Sequence, residues 1–136
     1  MKKKISLLGA TGSIGVQTID ILTHNPAQFE LVSFSAGRNI TEVEKLVAQF
    51  SPKMVSVIDK EDAERLQTLF PQTTFVYGRE GLIEVAAHNG ADVLVNAVIG
   101  SVGLEPTLAA IREGISIAIA NKETLVAAGT IVMAEA

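Results

Sequence analysis

Lys3-Lys4-Ile5-Ser6-Leu7-Leu8-Gly9-Ala10-Thr11-Gly12-Ser13-Ile14-Gly15 is the stretch whose reading decides the fold. Lys3 to Leu8 has the short apolar character of a strand, the next seven residues hold glycine at every third position, and an amphipathic run from Val16 to Leu22 follows. Strand, glycine turn and helix in that order suit an anion. Glycine at 9 permits a tight turn, glycine at 12 lets the backbone approach a phosphate, and glycine at 15 lets the helix lie close on the strand. The unpaired N–H groups and positive dipole end of the helix then face the ligand. The spacing is Gly-x-x-Gly-x-x-Gly rather than the commoner Gly-x-Gly-x-x-Gly, and such a triplet is also compatible with an ordinary strand-to-helix turn.

Working outward, strand-like and helix-like segments alternate. Strands are expected at Phe29 to Ser35, Met54 to Ile58, Thr73 to Tyr77, Asp92 to Val98 and Ile115 to Ala120. Helices are expected from Thr41 to Phe50, with Thr41-x-x-Glu44 as a capping box, and from Glu61 to Phe70, stopped by Pro71. Others are expected from about Arg79 to His88 and from Leu104 to Glu113, with Pro106 in the first turn and Gly114 as the stop, and a last one begins near Lys122. Repeated strand-then-helix order implies right-handed crossovers. The predicted fold class is therefore α/β: one doubly wound, Rossmann-type domain over residues 1–136, its mostly parallel sheet covered by helices on both faces. In such sheets a ligand lies at the carboxyl ends of the strands, where strand order reverses.

Composition agrees. The 136 residues are 48% hydrophobic with few aromatics, as buried Val and Ile strands require. A net charge of −4 argues against a nucleic-acid partner. The chain has no cysteine, which excludes disulfides, thiolate nucleophiles and thiolate metal sites. The apolar run after Lys2-Lys3-Lys4 is too short for a signal peptide, and no stretch approaches the ~20 apolar residues of a membrane span. A soluble, cytoplasmic domain is expected.

The loops after the strands carry the candidate site. Ser35-Ala36-Gly37-Arg38-Asn39 stands where an NAD site holds a carboxylate for the ribose 2′-hydroxyl, about 20 residues past the glycines. Arg38 takes that place instead. A guanidinium would bind a 2′-phosphate that a carboxylate would repel, which favours NADP(H); the alternative is a solvated loop charge. Ile99-Gly100-Ser101-Val102-Gly103 again brings backbone close to a ligand, while Asn96 suits either a ligand contact or a satisfied buried amide. Asn121 suits a helix N-cap and Glu123 its first turn. Lys122 is a cation at the positive end of that helix, which calls for a compensating anion. His24 and His88 sit at helix C-termini and read as structural, and two isolated histidines do not make a metal site. Asp59-Lys60-Glu61-Asp62 reads as a solvated loop and an acidic helix start.

Gly9-Ala10-Thr11-Gly12-Ser13-Ile14-Gly15, Ser35-Ala36-Gly37-Arg38-Asn39, Asn96-Ala97-Val98-Ile99-Gly100, Pro106 to Ile111 and Ala120-Asn121-Lys122-Glu123-Thr124-Leu125-Val126 together resemble the N-terminal NADPH-binding domain of the 1-deoxy-D-xylulose 5-phosphate reductoisomerases. The resemblance spans nearly the whole chain. It implies that Thr11, Gly12, Ser13 and Ile14 contact the pyrophosphate, and that Gly37, Arg38 and Asn39 contact the adenosine ribose with its 2′-phosphate. It likewise implies that Asn121 and Glu123 meet the nicotinamide half and that Lys122 reaches the sugar-phosphate substrate. The family rearranges its substrate to a branched aldehyde and reduces that with NADPH to 2-C-methyl-D-erythritol 4-phosphate, in non-mevalonate isoprenoid synthesis. A divalent metal, Mg or Mn, polarises the reacting oxygens. Members are dimeric and much longer, and their metal-binding carboxylates, lid and C-terminal domain correspond to nothing in this sequence. The resemblance thus implies a cofactor domain without catalytic or metal-binding residues of its own. Two other readings stay open on sequence: the NADP domain of a semialdehyde-type dehydrogenase, and a non-catalytic module sensing NADPH.

Overall fold

A computed structural model describes residues 3–97 and 104–119. The elements alternate as β1 (Lys3–Leu8), α1 (Ser13–His24), β2 (Phe29–Ser35), α2 (Ile40–Phe50), β3 (Met54–Val57), α3 (Lys60–Leu69), β4 (Thr74–Tyr77), α4 (Gly78–Ala87), β5 (Val93–Asn96), α5 (Leu104–Arg112) and β6 (Ser116–Ile119). The strands form one six-stranded sheet in the order β4-β3-β2-β1-β5-β6, and every pairing is parallel. The chain first steps outward from β1 to β4, then crosses back to continue on the far side of β1. Because each crossover is right-handed, that reversal changes the face on which the helices lie.

The packing follows from it. On one face Leu22, Val43, Leu46, Val47, Ala63 and Leu66, from α1 to α3, cover Ile5, Leu7, Phe34, Val55 and Val93. On the other, Val85, Ala86 and Ala110, from α4 and α5, cover Leu8, Leu94 and Ile117. Successive strand residues point to opposite faces, so a strand buried on both sides must be apolar at odd and even positions alike. Leu7 and Leu8, both fully buried, show this.

Serines pave part of the sheet beneath α4. The β1–β2 register slips by one after Ile5, which sets Ser6 opposite Ser33. Their hydroxyl oxygens lie 2.6 Å apart, and the Ser33 hydroxyl reaches the Val85 carbonyl oxygen at 2.8 Å. Since Ser33 has one proton and gives it to Val85, Ser6 is the donor between the two. A Cβ on Gly81 would meet Ser56 Oγ at 2.8 Å and Val76 Cγ2 at 3.1 Å. Small residues on helix and sheet together let α4 settle this close, and the Ser6 and Ser33 hydroxyls are each satisfied by a bond worth about 1 kcal/mol net.

Several boundaries differ from those expected. Helix α1 begins at Ser13 rather than Val16, because close packing at Gly15 carries the helical turn up to the glycines. The capping box on Thr41 does not form: Ile40 is already helical, and Asn39 is the N-cap, its Oδ1 accepting from Glu42 N–H at 3.3 Å. Thr41 therefore lies two places too far into the helix to cap it. Gly114 does stop α5, with φ at +79°. The expected helix from Lys122, and the ends of the two strands expected to reach Val98 and Ala120, lie outside the described residues. Among the described residues no helix is long and apolar enough to cross a membrane.

Candidate functional site

The reversal of strand order falls between β1, β2 and β5, since β1 pairs with both of the others. Three loops converge at the carboxyl edge there, and hydrogen bonds tie them together. Gly9, at φ +85°, turns the chain out of β1, in a conformation that L side chains rarely adopt. Its N–H donates to Ser35 Oγ at 2.8 Å, and Ala10 N–H donates to the Ser35 carbonyl at 2.8 Å. The glycine turn is thus hooked to the last residue of β2. Next, Gly37 N–H donates to Thr11 Oγ1 at 3.1 Å, which fastens the loop after β2 to the same turn. Finally, Ala36 N–H donates to the Ser56 carbonyl at 2.9 Å and joins that loop to the end of β3.

The three glycines of the turn serve separate ends. Gly9 answers to backbone conformation. Gly15 answers to packing, because a Cβ there would lie 1.8 Å from the Gly9 carbonyl oxygen and 2.8 Å from the Ala10 carbonyl carbon. Gly12 answers to neither: its φ is −79°, and among the described residues a Cβ would meet only the Gly9 oxygen, at an ordinary 3.7 Å. As N-cap of α1 it offers no side-chain bond to the first turn, and that turn holds no acidic residue. The first N–H groups of α1 have no partner within the helix and stand at the dipole's positive end.

Arg38 projects from the second loop and is mostly exposed, and its Nε donates to Asp59 Oδ2 at 3.3 Å. Asp59 stands just beyond β3 and is half exposed. Sequence reading passed over it as part of a solvated acidic loop. The signal was its place directly after a strand neighbouring β2. Asn39, the third residue of that loop singled out from sequence, spends its carbonyl oxygen on capping α2. The structure therefore gathers Thr11, Gly12, Ser13, Gly37, Arg38 and Asn39 along one edge, with Ile14 in the first turn of α1. Asn121, Lys122 and Glu123 lie outside the described residues, as do Gly100 and Gly103.

Asn96, left open between two roles, bonds through Nδ2 to Thr107 Oγ1 at 3.1 Å and so ties the end of β5 to α5. On the same face Arg79 grips Glu105 with both edges of its guanidinium, Nη2 to Oε2 at 2.7 Å and Nε to Oε1. The hydrogen bonds from Arg79 hold the Glu105 carboxyl below its ordinary value, and the same pairing raises Arg79. His24 Nδ1 lies 2.8 Å from the Asp20 carbonyl oxygen at the end of α1, the structural setting expected of it. Among the described residues no three His, Cys, Asp or Glu side chains group closely enough to hold a metal ion.

The sequence profile of the 1-deoxy-D-xylulose 5-phosphate reductoisomerases matches residues 5–129. A protein of that name from Bacillus cereus (strain Q1) is 58% identical over 131 residues, covering 96% of this chain and 34% of the relative. Another from Lysinibacillus sphaericus is 58% identical over 134 residues, covering 98% and 35%. The chain thus spans about a third of the length of the curated relatives it matches. Among solved structures, the Zymomonas mobilis reductoisomerase in complex with NADPH superposes with a TM-score of 0.79 at 34% identity, over 94% of this chain and 34% of that one. A reductoisomerase in complex with magnesium gives 0.80 at 32% identity, over 93% and 32%. These matches leave no place for the semialdehyde-dehydrogenase alternative, and the chain belongs to the 1-deoxy-D-xylulose 5-phosphate reductoisomerase family.

Proposed function

We propose that residues 1–136 are the NADPH-binding domain of a reductoisomerase that converts 1-deoxy-D-xylulose 5-phosphate to 2-C-methyl-D-erythritol 4-phosphate. The observation that carries this reading is Gly12. Among the described residues the fold demands glycine at 9 and 15 but gives no reason of conformation or packing for glycine at 12, which suits close approach by a group outside the chain. An uncapped helix start with free N–H groups suits a pyrophosphate there. Thr11, Gly12, Ser13 and Ile14 hold that group, mainly through backbone. Gly37, Arg38 and Asn39 take the adenosine ribose, with Arg38 on the 2′-phosphate and the Asn39 amide nitrogen left as a donor. Asn121 and Glu123 serve the nicotinamide half, and Lys122 the phosphate-bearing substrate.

When bound, NADPH supplies the hydride that reduces the branched aldehyde. The chain's own residues bind and orient the dinucleotide and discriminate its 2′-phosphate. The divalent metal, Mg or Mn, and the homodimer belong to the family's whole length. The chain by itself then binds NADPH without turning over the pentulose phosphate. Titration with NADPH and with NADH, by calorimetry or nicotinamide fluorescence, tests this in wild type and Arg38→Asp. Saturable binding that prefers NADPH, with the preference lost or reversed in the variant, is expected. Absence of binding by a folded chain, or turnover by the chain alone, would refute it.

A further inference from the structure

Arg38 and Asp59 are brought together by the sheet. Ser35 and Ser56 are register partners on β2 and β3, and each of the two charged residues stands three positions beyond its own partner. Asp59 occupies the N-cap position of α3 yet makes no side-chain cap bond. That is unusual behaviour for aspartate, which is among the preferred N-cap residues. Its carboxylate turns instead to the Nε of Arg38. An exposed ion pair stabilises a fold no more than a cap would, so stability alone does not explain the choice. Geometry supplies a reason. Guanidinium has two bonding edges, and Asp59 takes a position on the Nε side. The Nη end is left to meet an anion.

We propose that Asp59 is a positioning residue for coenzyme discrimination: it tethers Arg38 through Nε and aims the free end of the guanidinium at the 2′-phosphate of NADPH. The inference rests on the NADPH reading above. A long, exposed arginine otherwise samples many rotamers, and immobilising it before the ligand arrives lowers the ordering cost of binding. The carboxylate also repels the phosphate, and the proposal requires that orientation outweigh repulsion.

Coenzyme affinities of Asp59→Ala and Asp59→Glu decide the matter. Removing the carboxylate is expected to weaken NADPH binding roughly three- to fivefold, the range that an exposed ion pair can supply. NADH, which lacks the 2′-phosphate, should change by less than about twofold. Asp59→Glu should recover part of the NADPH affinity. In an Arg38→Ala background, Asp59→Ala should cause no further loss of NADPH affinity, since the tether would have nothing to hold and only the carboxylate's repulsion would be relieved. Tighter NADPH binding by Asp59→Ala with Arg38 in place, equal losses for both coenzymes, or additive losses with Arg38→Ala would each overturn the proposal. A folded wild type with no preference for NADPH would overturn the coenzyme reading beneath it as well.

Discussion

Replacing Gly15 with alanine should injure the fold, whereas the same change at Gly12 should injure only binding. At position 15 the new Cβ would sit 1.8 Å from the Gly9 oxygen, 2.7 Å from the Gly9 carbonyl carbon and 2.8 Å from the Ala10 carbonyl carbon. Relief requires a separation of more than 1 Å between α1 and the turn, because backbone atoms cannot rotate away as side chains do. The turn is held by Gly9 and Ala10 donating to Ser35, so opening it loses one or both bonds at about 1 kcal/mol each. Overpacking adds roughly 1–3 kcal/mol. Against this, alanine in place of helical glycine returns about 1 kcal/mol. The net expectation is a loss of roughly 1–4 kcal/mol, or about 4–14 °C in Tm for a chain of this size. At Gly12 the Cβ meets one atom at 3.7 Å with φ at −79°, so Tm should move by no more than about 2 °C. Thermal unfolding by circular dichroism, run on both variants with and without NADPH, reads the two effects separately. A Gly15→Ala chain as stable as wild type, or a Gly12→Ala chain as damaged as Gly15→Ala, would refute the assignment of separate duties to these glycines.

Gln67 protects the edge strand: its Nε2 donates to the Thr73 carbonyl at 2.7 Å, and its Oε1 accepts from Phe75 N–H at 2.9 Å, as a neighbouring strand would. Gln67→Leu should lower stability by roughly 1–2 kcal/mol and speed aggregation in light-scattering assays; unchanged aggregation would count against the edge role. Thr11→Val removes the acceptor for Gly37 N–H and should loosen the loop after β2, weakening NADPH more than NADH in a titration, whereas equal losses would disconnect Thr11 from discrimination. The Glu105 carboxyl is held below its ordinary value of 4.5 by Arg79. Its stabilising contribution is therefore complete above that value and lost as pH falls through the lowered one. The stability difference between wild type and Glu105→Gln, measured by urea unfolding, should shrink between about pH 7 and about pH 3, and a constant difference would contradict this pairing.

What the sequence made legible was local or periodic. The strand at Phe29 to Ser35 and the glycine turn could be read because their signals lie within a few residues. The start of α1 could not. Ser13-Ile14-Gly15 carries no cap and a glycine, and its helical state is set by contact with Gly9, across the turn. At the head of α2 the box pattern pointed to Thr41, whereas Asn39, read from sequence only as a ribose contact, is the residue that caps the helix. Ser6, Ser33 and Ser56 read as polar interruptions in apolar strands. Only the approach of α4, with Gly81 against Ser56, makes them necessary. Asp59 was missed for the same reason: its partner Arg38 lies on a different loop, and only the pairing of β2 with β3 unites them.

That distinction bears on how recognition is organised at this edge. The residues legible as a motif, Gly9, Gly12 and Gly15, follow a turn pattern common to many dinucleotide folds and, on the proposed reading, cradle the pyrophosphate. On the proposed reading coenzyme choice depends instead on Arg38, whose loop is fixed by bonds between elements: Gly37 to Thr11, Ala36 to Ser56, and Arg38 to Asp59. Thr11 belongs to both systems, since it lies within the glycine turn and holds the discriminating loop. The groups proposed to face the pyrophosphate and those proposed to face the 2′-phosphate are therefore parts of one bonded unit. A change in either loop will be felt at the other, and exchanging Arg38 alone will lose NADPH more readily than it gains NADH. Reversal of preference requires the carboxylate of Asp59 to be freed from its arginine and a hydroxyl-binding group supplied in its place.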